Sequence, residues 1–237
     1  MSIKTRYMLF ITGIFSMAFG ISLLIKSSLG TSPISSIPYI LTEQSLYSIG
    51  TTTMLVNLLF LLAQIGLLGR KFEPFQLMQV PITFIFAIFI DIIMALLGNV
   101  YIDIYLFKLL LSFLGSCFIG FGVALQIIAQ VITLSGEGIV NAVAIKYHRD
   151  FGKTKIVFDS SLVIIAAGLS WLFFGEIWGL REGTLLSALL TGWIARFFIH
   201  HLSYIDAYGR HCFQWSFPFS IKSSSKKLKN EEGAVTK

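Results

Sequence analysis

Apolar residues run along this chain in long blocks, not in the alternation of a half-buried strand or the single stripe of a surface helix. Six blocks reach spanning length, at 7–25, 51–68, 75–97, 107–129, 156–174 and 184–202. A helix of about 20 apolar residues crosses the hydrocarbon core of a bilayer. Strands of a membrane barrel would show alternating segments of about ten residues, and these blocks are too long and too uniform for that. The pattern predicts an all-α, polytopic membrane helix bundle of about six transmembrane helices.

Two further segments, 27–49 and 134–151, do not fit as spans. Each begins rich in Gly, Ser, Thr or Pro, continues modestly apolar, and ends polar. Making both into full spans would place Arg70 and Lys71 on the outer side. They are predicted as short broken or re-entrant helices. Irregular backbone at membrane depth is tolerated only inside protein or against a water-filled cavity.

Composition agrees with lipid as the main solvent. Hydrophobic residues make up 55% of the 237 and charged residues 13%, where a soluble domain carries roughly 25% charge. The net charge of +6 belongs to loops and tail, so it indicates topology and not nucleic acid. With the N-terminus in the cytoplasm, only Lys26, Lys108 and Arg181 of the 18 Lys and Arg fall outside. That bias supports the span count and predicts that both termini are cytoplasmic. Lys4 and Arg6 resemble the basic start of a signal peptide, but no small-x-small cleavage site follows, so the first block is expected to be retained. Cys117 and Cys212 predict neither a disulfide nor a metal site.

An offset of 102 residues registers one half of the chain on the other without gaps. Gly13 falls on Gly115, Phe19 on Phe121, Gly20 on Gly122, and Leu23 on Leu125. Thr31 falls on Thr133, Ile37 on Ile139, Gly50 on Gly152, Thr52 on Thr154, and Asn57 on Asp159. The expected organisation is a first membrane repeat over 7–98, a second over 104–204, and a basic, aromatic cytoplasmic tail over 205–237, partly disordered and suited to the lipid interface. Three spans per repeat is an odd number, so the second repeat must lie inverted in the bilayer. Inverted repeats with discontinuous helices are the plan of many secondary transporters.

Three stretches, "FGISLLIKSSLGTSPISSIPYIL", "GFGVALQIIAQVITLSGEGIVNAVA" and "GLREGTLLSALLTG", together resemble the YczE/YitT-like group of bacterial integral membrane proteins. The resemblance covers most of 7–204. YitT-type members carry a GGTD-like sequence at the second break, where this chain reads Ser135-Gly136-Glu137-Gly138, closer to the YczE side. The resemblance implies a bacterial inner-membrane protein and implies no chemistry.

Candidate ligand contacts gather at the breaks. Ser28, Gly30, Thr31 and Ser32 precede Pro33, which suits a first helical turn. A helix starting there at depth would aim free N–H groups at an anion; the alternative is a simple surface turn. Thr133, Ser135, Gly136 and Glu137 form the equivalent break. Glu137 is either a plain cap or an ionisable group at membrane depth that binds a cation, a proton or a substrate amine. Asp159 lies one turn beyond Lys155, so an ion pair competes with a functional role; its equivalence to Asn57 suggests that both face the repeat interface. Asp91 reads as a lone carboxylate deep in its span, either proton-coupling or hydrogen-bonded to a neighbouring helix. Asn141, Gln126 and Gln130 are expected to bridge helices or line a polar cavity. Glu182 reads as a cap. Adjacent His200 and His201 point about 100° apart and suit a helix end better than a metal.

No Walker loop, HExxH, GxSxG or paired CxxC occurs, so neither an enzyme nor a cofactor is expected. The expected function is a small-solute secondary transporter with its site at the repeat interface. The rival is a non-transporting accessory or regulatory membrane protein acting on a partner enzyme or pathway. Expected partners are the lipid bilayer and an unknown small solute or ion, without nucleic acid; a homo-oligomer is left open.

Overall fold

The computed structural model describes residues 2–98, 103–149, 151–205 and 211–213. Eight α-helices follow one another: α1 (Ile3–Ser27), α2 (Pro33–Gln44), α3 (Ile49–Leu68), α4 (Gln79–Leu97), α5 (Tyr105–Ala129), α6 (Ser135–Tyr147), α7 (Phe151–Phe174) and α8 (Glu182–Leu202). Two 3-10 turns, Gly69–Lys71 and Pro74–Met78, join α3 to α4. Two three-residue strands, β1 (Ser203–Ile205) and β2 (His211–Phe213), pair antiparallel after α8. Among the described residues six helices are long and apolar enough to cross a membrane, and α2 and α6 are the two short ones. The chain is a polytopic helical membrane bundle. Most of the tail at 205–237 lies outside the described residues, and with it the expected interfacial role.

Several helices start before their apolar block, because caps are polar. The Ser2 hydroxyl accepts from the Thr5 N–H at the head of α1, and Ser48 accepts from Thr51 at the head of α3. Hydroxyl caps of this kind satisfy donors that the first turn leaves free.

Adding 102 to the first residue of α1 gives that of α5, and both helices have 25 residues. The same offset carries the start of α2 onto α6 and the start of α3 onto α7, and brings the start of α4 to within one residue of α8. The non-glycine residues Ser28 and Gln130, related by the same offset, both take left-handed backbone as the C-caps of α1 and α5.

The two long first helices form the seam of the molecule. A Cβ on Gly20 would meet the Gly115 carbonyl oxygen at 2.5 Å, and one on Gly122 would meet that of Gly13 at 2.5 Å. Low numbers on α1 thus meet high numbers on α5, so the helices run antiparallel. Each contact exchanges the two offset-related positions, as a local two-fold axis requires. Ser16 Oγ donates across the seam to the Phe118 carbonyl at 2.8 Å. Small residues allow this approach, and packing is what holds helices together where lipid is as apolar as their side chains.

The short helices are exchanged between halves: α2 packs on α7, and α6 packs on α3. Because α1 and α5 are antiparallel, α2 and α6 leave the interior toward opposite faces. Each begins in the interior and ends in the open. Ser35 and Ser36 on α2 and Ser135 and Gly136 on α6 are buried, whereas Leu46 beyond α2 and His148 beyond α6 are exposed.

Candidate functional site

Both short helices begin where chain geometry leaves donors to satisfy. In α2, Ser32 is the N-cap and accepts from the Ser35 N–H, with Pro33 following as expected. In α6 the cap position is Leu134, which has no side-chain acceptor, and Glu137 occupies the first turn. The two ends meet. A Cβ on Gly136 would touch the Ile34 side chain at 3.2 Å, so Gly136 is the place where the second short helix admits the first.

Around this meeting point lies a cavity of about 360 Å³, within the range of small-molecule sites, roughly 300–1,000 Å³. Its polar wall is built in offset-related pairs: Ser35 with Glu137, Thr53 with Lys155, and Asn57 with Asp159. The first-half members are neutral hydroxyls and an amide. The second-half members are charged, and Arg196 of α8 adds a further cation to the lining. Apolar groups, among them Met17, Ile21, Phe86 and Ile119, close the rest.

The charges are unequally engaged. Lys155 Nζ lies 3.2 Å from an Asp159 carboxylate oxygen, the ion pair expected from their spacing. Glu137 has no such salt bridge among the described residues, although Lys155 and Asp159 are its electrostatic neighbours. Thr53 is 3% exposed, and its hydroxyl is buried and, among the described residues, has no hydrogen-bond partner. Asn57 donates to the Thr53 carbonyl at 2.9 Å, which orients its amide.

Of the residues picked from the sequence, the cavity brings together Ser32, Asn57, Thr133, Gly136, Glu137, Asn141 and Asp159. It does not gather the others. Ser28 is an exposed helix cap. Gly30 is pressed against Thr184 and Arg181. The Thr31 N–H donates to Thr184 Oγ1 at 3.2 Å, and its carbonyl accepts from Ser187, tying the first break to α8. The Ser135 carbonyl accepts from Gln64 at 3.1 Å.

Asp91 corrects the reading of a lone, deep carboxylate. It accepts from the Gly50 N–H at 2.8 Å and from the Ser48 hydroxyl at 2.7 Å, so it caps the start of α3. Its charge meets the positive end of that helix, a favourable placement for an anion. The interhelical hydrogen-bond role therefore describes it.

A second cavity of about 380 Å³ adjoins the first, sharing Gln126, Ile127, Thr133 and Asn141 with it. Gln64 and Gln79, both almost fully buried, bond to each other in its wall at 3.2 and 3.3 Å. Sequence reasoning passed over this pair, together with Thr53 and Thr191, and read Arg196, which lines the first cavity, only as an anchor of the cytoplasmic helix end. The available signal was a polar side chain inside an otherwise apolar run. His201 lies tilted against Phe197 and edge-to-face with His200 on α8, and no cluster of metal-ligating side chains occurs among the described residues.

Comparison with known proteins places the chain. It belongs to a family of unknown function (DUF6198), whose pattern matches residues 4–200. It is similar to "Uncharacterized protein YyaS" of Bacillus subtilis (strain 168), with 30% identity over 196 residues covering 82% of this chain and 92% of that protein. No solved structure matches. The family comparison does not extend to the YczE/YitT-like group.

Proposed function

Starting from membership of DUF6198, we propose that the chain is a small-solute permease of the bacterial plasma membrane, both termini cytoplasmic, with its binding site between the two short helices. One observation carries the reading: two buried helix starts, reached from opposite faces, meet at a cavity with a polar wall. Backbone left open at such depth is a recurring device for holding a solute or coupling ion in transporters. Alternating access would come from rocking of the two halves about the glycine seam between α1 and α5. Kinship with YczE/YitT-like proteins is part of the proposal and rests on the glycine-rich stretches alone.

The rival reading, an accessory protein acting on a partner, expects a closed and dry interface between the halves. The cavity favours the permease. Among the described residues Glu137 is the carboxylate in its wall without a salt bridge, so it is the charge carrier of choice. Glu137→Gln, reconstituted in liposomes, should lose solute flux while remaining monodisperse and as heat-stable as the parent protein. Undiminished flux through that variant would remove Glu137 from the coupling role.

A further inference from the structure

We propose that residues 29–31 and the start of α8 form the gate that closes the cavity on the face where α2 emerges; this deepens the permease reading and rests on it. The two breaks are related by the offset, yet their surroundings differ. At the first, the Gly183 N–H donates to the Leu29 carbonyl at 2.8 Å, the Thr31 N–H donates to Thr184 Oγ1 at 3.2 Å, and Ser187 Oγ donates to the Thr31 carbonyl at 3.3 Å. Leu29 and Thr31 are each 1% exposed. Three bonds thus clasp the first break to α8, and each serves a backbone group of the break at a depth where an unpaired one is costly.

The second break cannot be clasped in this way, for a reason written in the residues. The positions of α4 that the offset relates to Gly183, Thr184 and Ser187 hold Pro81, Ile82 and Ile85. Proline has no N–H, and isoleucine has no hydroxyl, so none of the three bonds has a counterpart. Thr133, the partner of Thr31 under the offset, is exposed. Val131, Ile132 and Thr133 line the second cavity together with Gln79 from the start of α4.

The filling of the two halves repeats the asymmetry. Phe86, Ile90 and Ile93 of α4 are buried in one cluster with Ile21 and Leu24 of α1. Their counterparts on α8 are Ala188, Gly192 and Ala195, and all three line the first cavity. A Cβ on Gly192 would meet nothing within 4 Å. Because α3 starts just beyond the end of α2, α4 runs back toward the α2 face; α7 starts just beyond α6, so α8 runs back toward the α6 face. The bundle is therefore filled and clasped toward the α2 face and hollow toward the α6 face. Passage from the α2 face requires α8 to release residues 29–31, and the three bonds set how often it does.

The test is sided labelling of Ile34→Cys, a partly exposed wall position where the two short helices touch, in the full chain with Cys117→Ala and Cys212→Ser. Right-side-out and inside-out membrane vesicles are treated with a membrane-impermeant methanethiosulfonate. The parent thiol should react readily from the α6 face and slowly, but measurably, from the α2 face. Thr184→Val with Ser187→Ala removes two of the three clasp bonds and should speed modification from the α2 face by about tenfold or more, since each lost bond is worth a few-fold and the Thr31 N–H is left without its partner. Should that variant fail to fold, Gly183→Ala replaces it: the added carbon would stand 2.6 Å from the Leu29 carbonyl oxygen and wedge the break away from α8. A clasp that is merely structural would lower the unfolding temperature and leave the sidedness of labelling unchanged, and that result in folded variants overturns the gate. If the parent thiol then still reacts from both faces, the permease reading stands without this gate. Labelling from the α2 face in the clasp variants, with none in the parent, would uphold the gate and sink the permease, which must open to both faces.

Discussion

Replacing Gly20 by alanine tests the seam with the smallest possible change. The added carbon would stand 2.5 Å from the Gly115 carbonyl oxygen, 2.7 Å from Ile119 Cγ1 and 2.8 Å from the Ile119 nitrogen. Ordinary contact distances are about 3.5 Å, so α1 and α5 must separate locally by about 1 Å. A gap of that size forfeits a quarter to a half of the attraction of each atom pair along the seam. The expected cost is about 1–3 kcal/mol, as for other overpacked sites. Two of the crowded neighbours are backbone, which cannot rotate away, so the upper half of that range applies. Gly66 and Gly168 provide the comparison, since a Cβ there meets nothing within 4 Å. At those positions alanine should be neutral or stabilising by up to about 1 kcal/mol, because glycine is the poorer helix former. Thermal unfolding in detergent, followed by tryptophan emission and by loss of the monodisperse peak, reads the difference. Gly122→Ala should resemble Gly20→Ala, and Gly13→Ala, at 2.9 Å, should be milder. If Gly20→Ala unfolds with Gly66→Ala, the close antiparallel crossing is wrong, and the local two-fold goes with it.

Other expectations follow from single contacts. Asp91→Ala removes the two bonds that cap α3 and should lower stability by about 0.5–2 kcal/mol in the same unfolding measurement, while Asp91→Asn keeps flux if the carboxylate has no coupling role. Lys155→Met leaves Asp159 without its 3.2 Å partner and should be more damaging to thermal stability than the double replacement Lys155→Met with Asp159→Leu, because an unpaired charge is worse than none. Reversing the charges of Lys146 and Arg149 should disturb function less than Glu137→Gln in a flux assay; the opposite ranking would favour the accessory-protein reading.

Much of the architecture is legible in the residues, for reasons that can be stated. Apolar blocks give the spans, because lipid permits nothing else at that length. Pro33 and the small residues before it mark the first short helix, and the offset then points to Ser135 for the second. Asp91 was hidden. Its depth depends on where Ser48 and Gly50 of a neighbouring helix come to rest, and no pattern within its own span encodes that. Arg6 shows the same thing: it reads as a topology charge, yet its guanidinium caps α5 by accepting no role in a loop and donating instead to the Ala129 carbonyl at 2.8 Å. Thr53 and Thr191 were hidden differently. Hydroxyls in apolar helices often bond a carbonyl of the previous turn, as Ser22 does to Ala18 and Ser116 to Ser112. Only the fold distinguishes those from a hydroxyl buried without a partner among the described residues.

The tips of the two short helices carry the whole arrangement, and labelling them addresses it directly. In a background with Cys117→Ala and Cys212→Ser, single replacements Leu46→Cys and Tyr147→Cys put a thiol at an exposed position just beyond α2 and at the end of α6. A membrane-impermeant maleimide added to intact cells should modify the first, and should modify the second only after the cells are opened. Modification of both from the same side would mean that the short helices share a face, and neither the inverted arrangement nor the shared cavity site would survive.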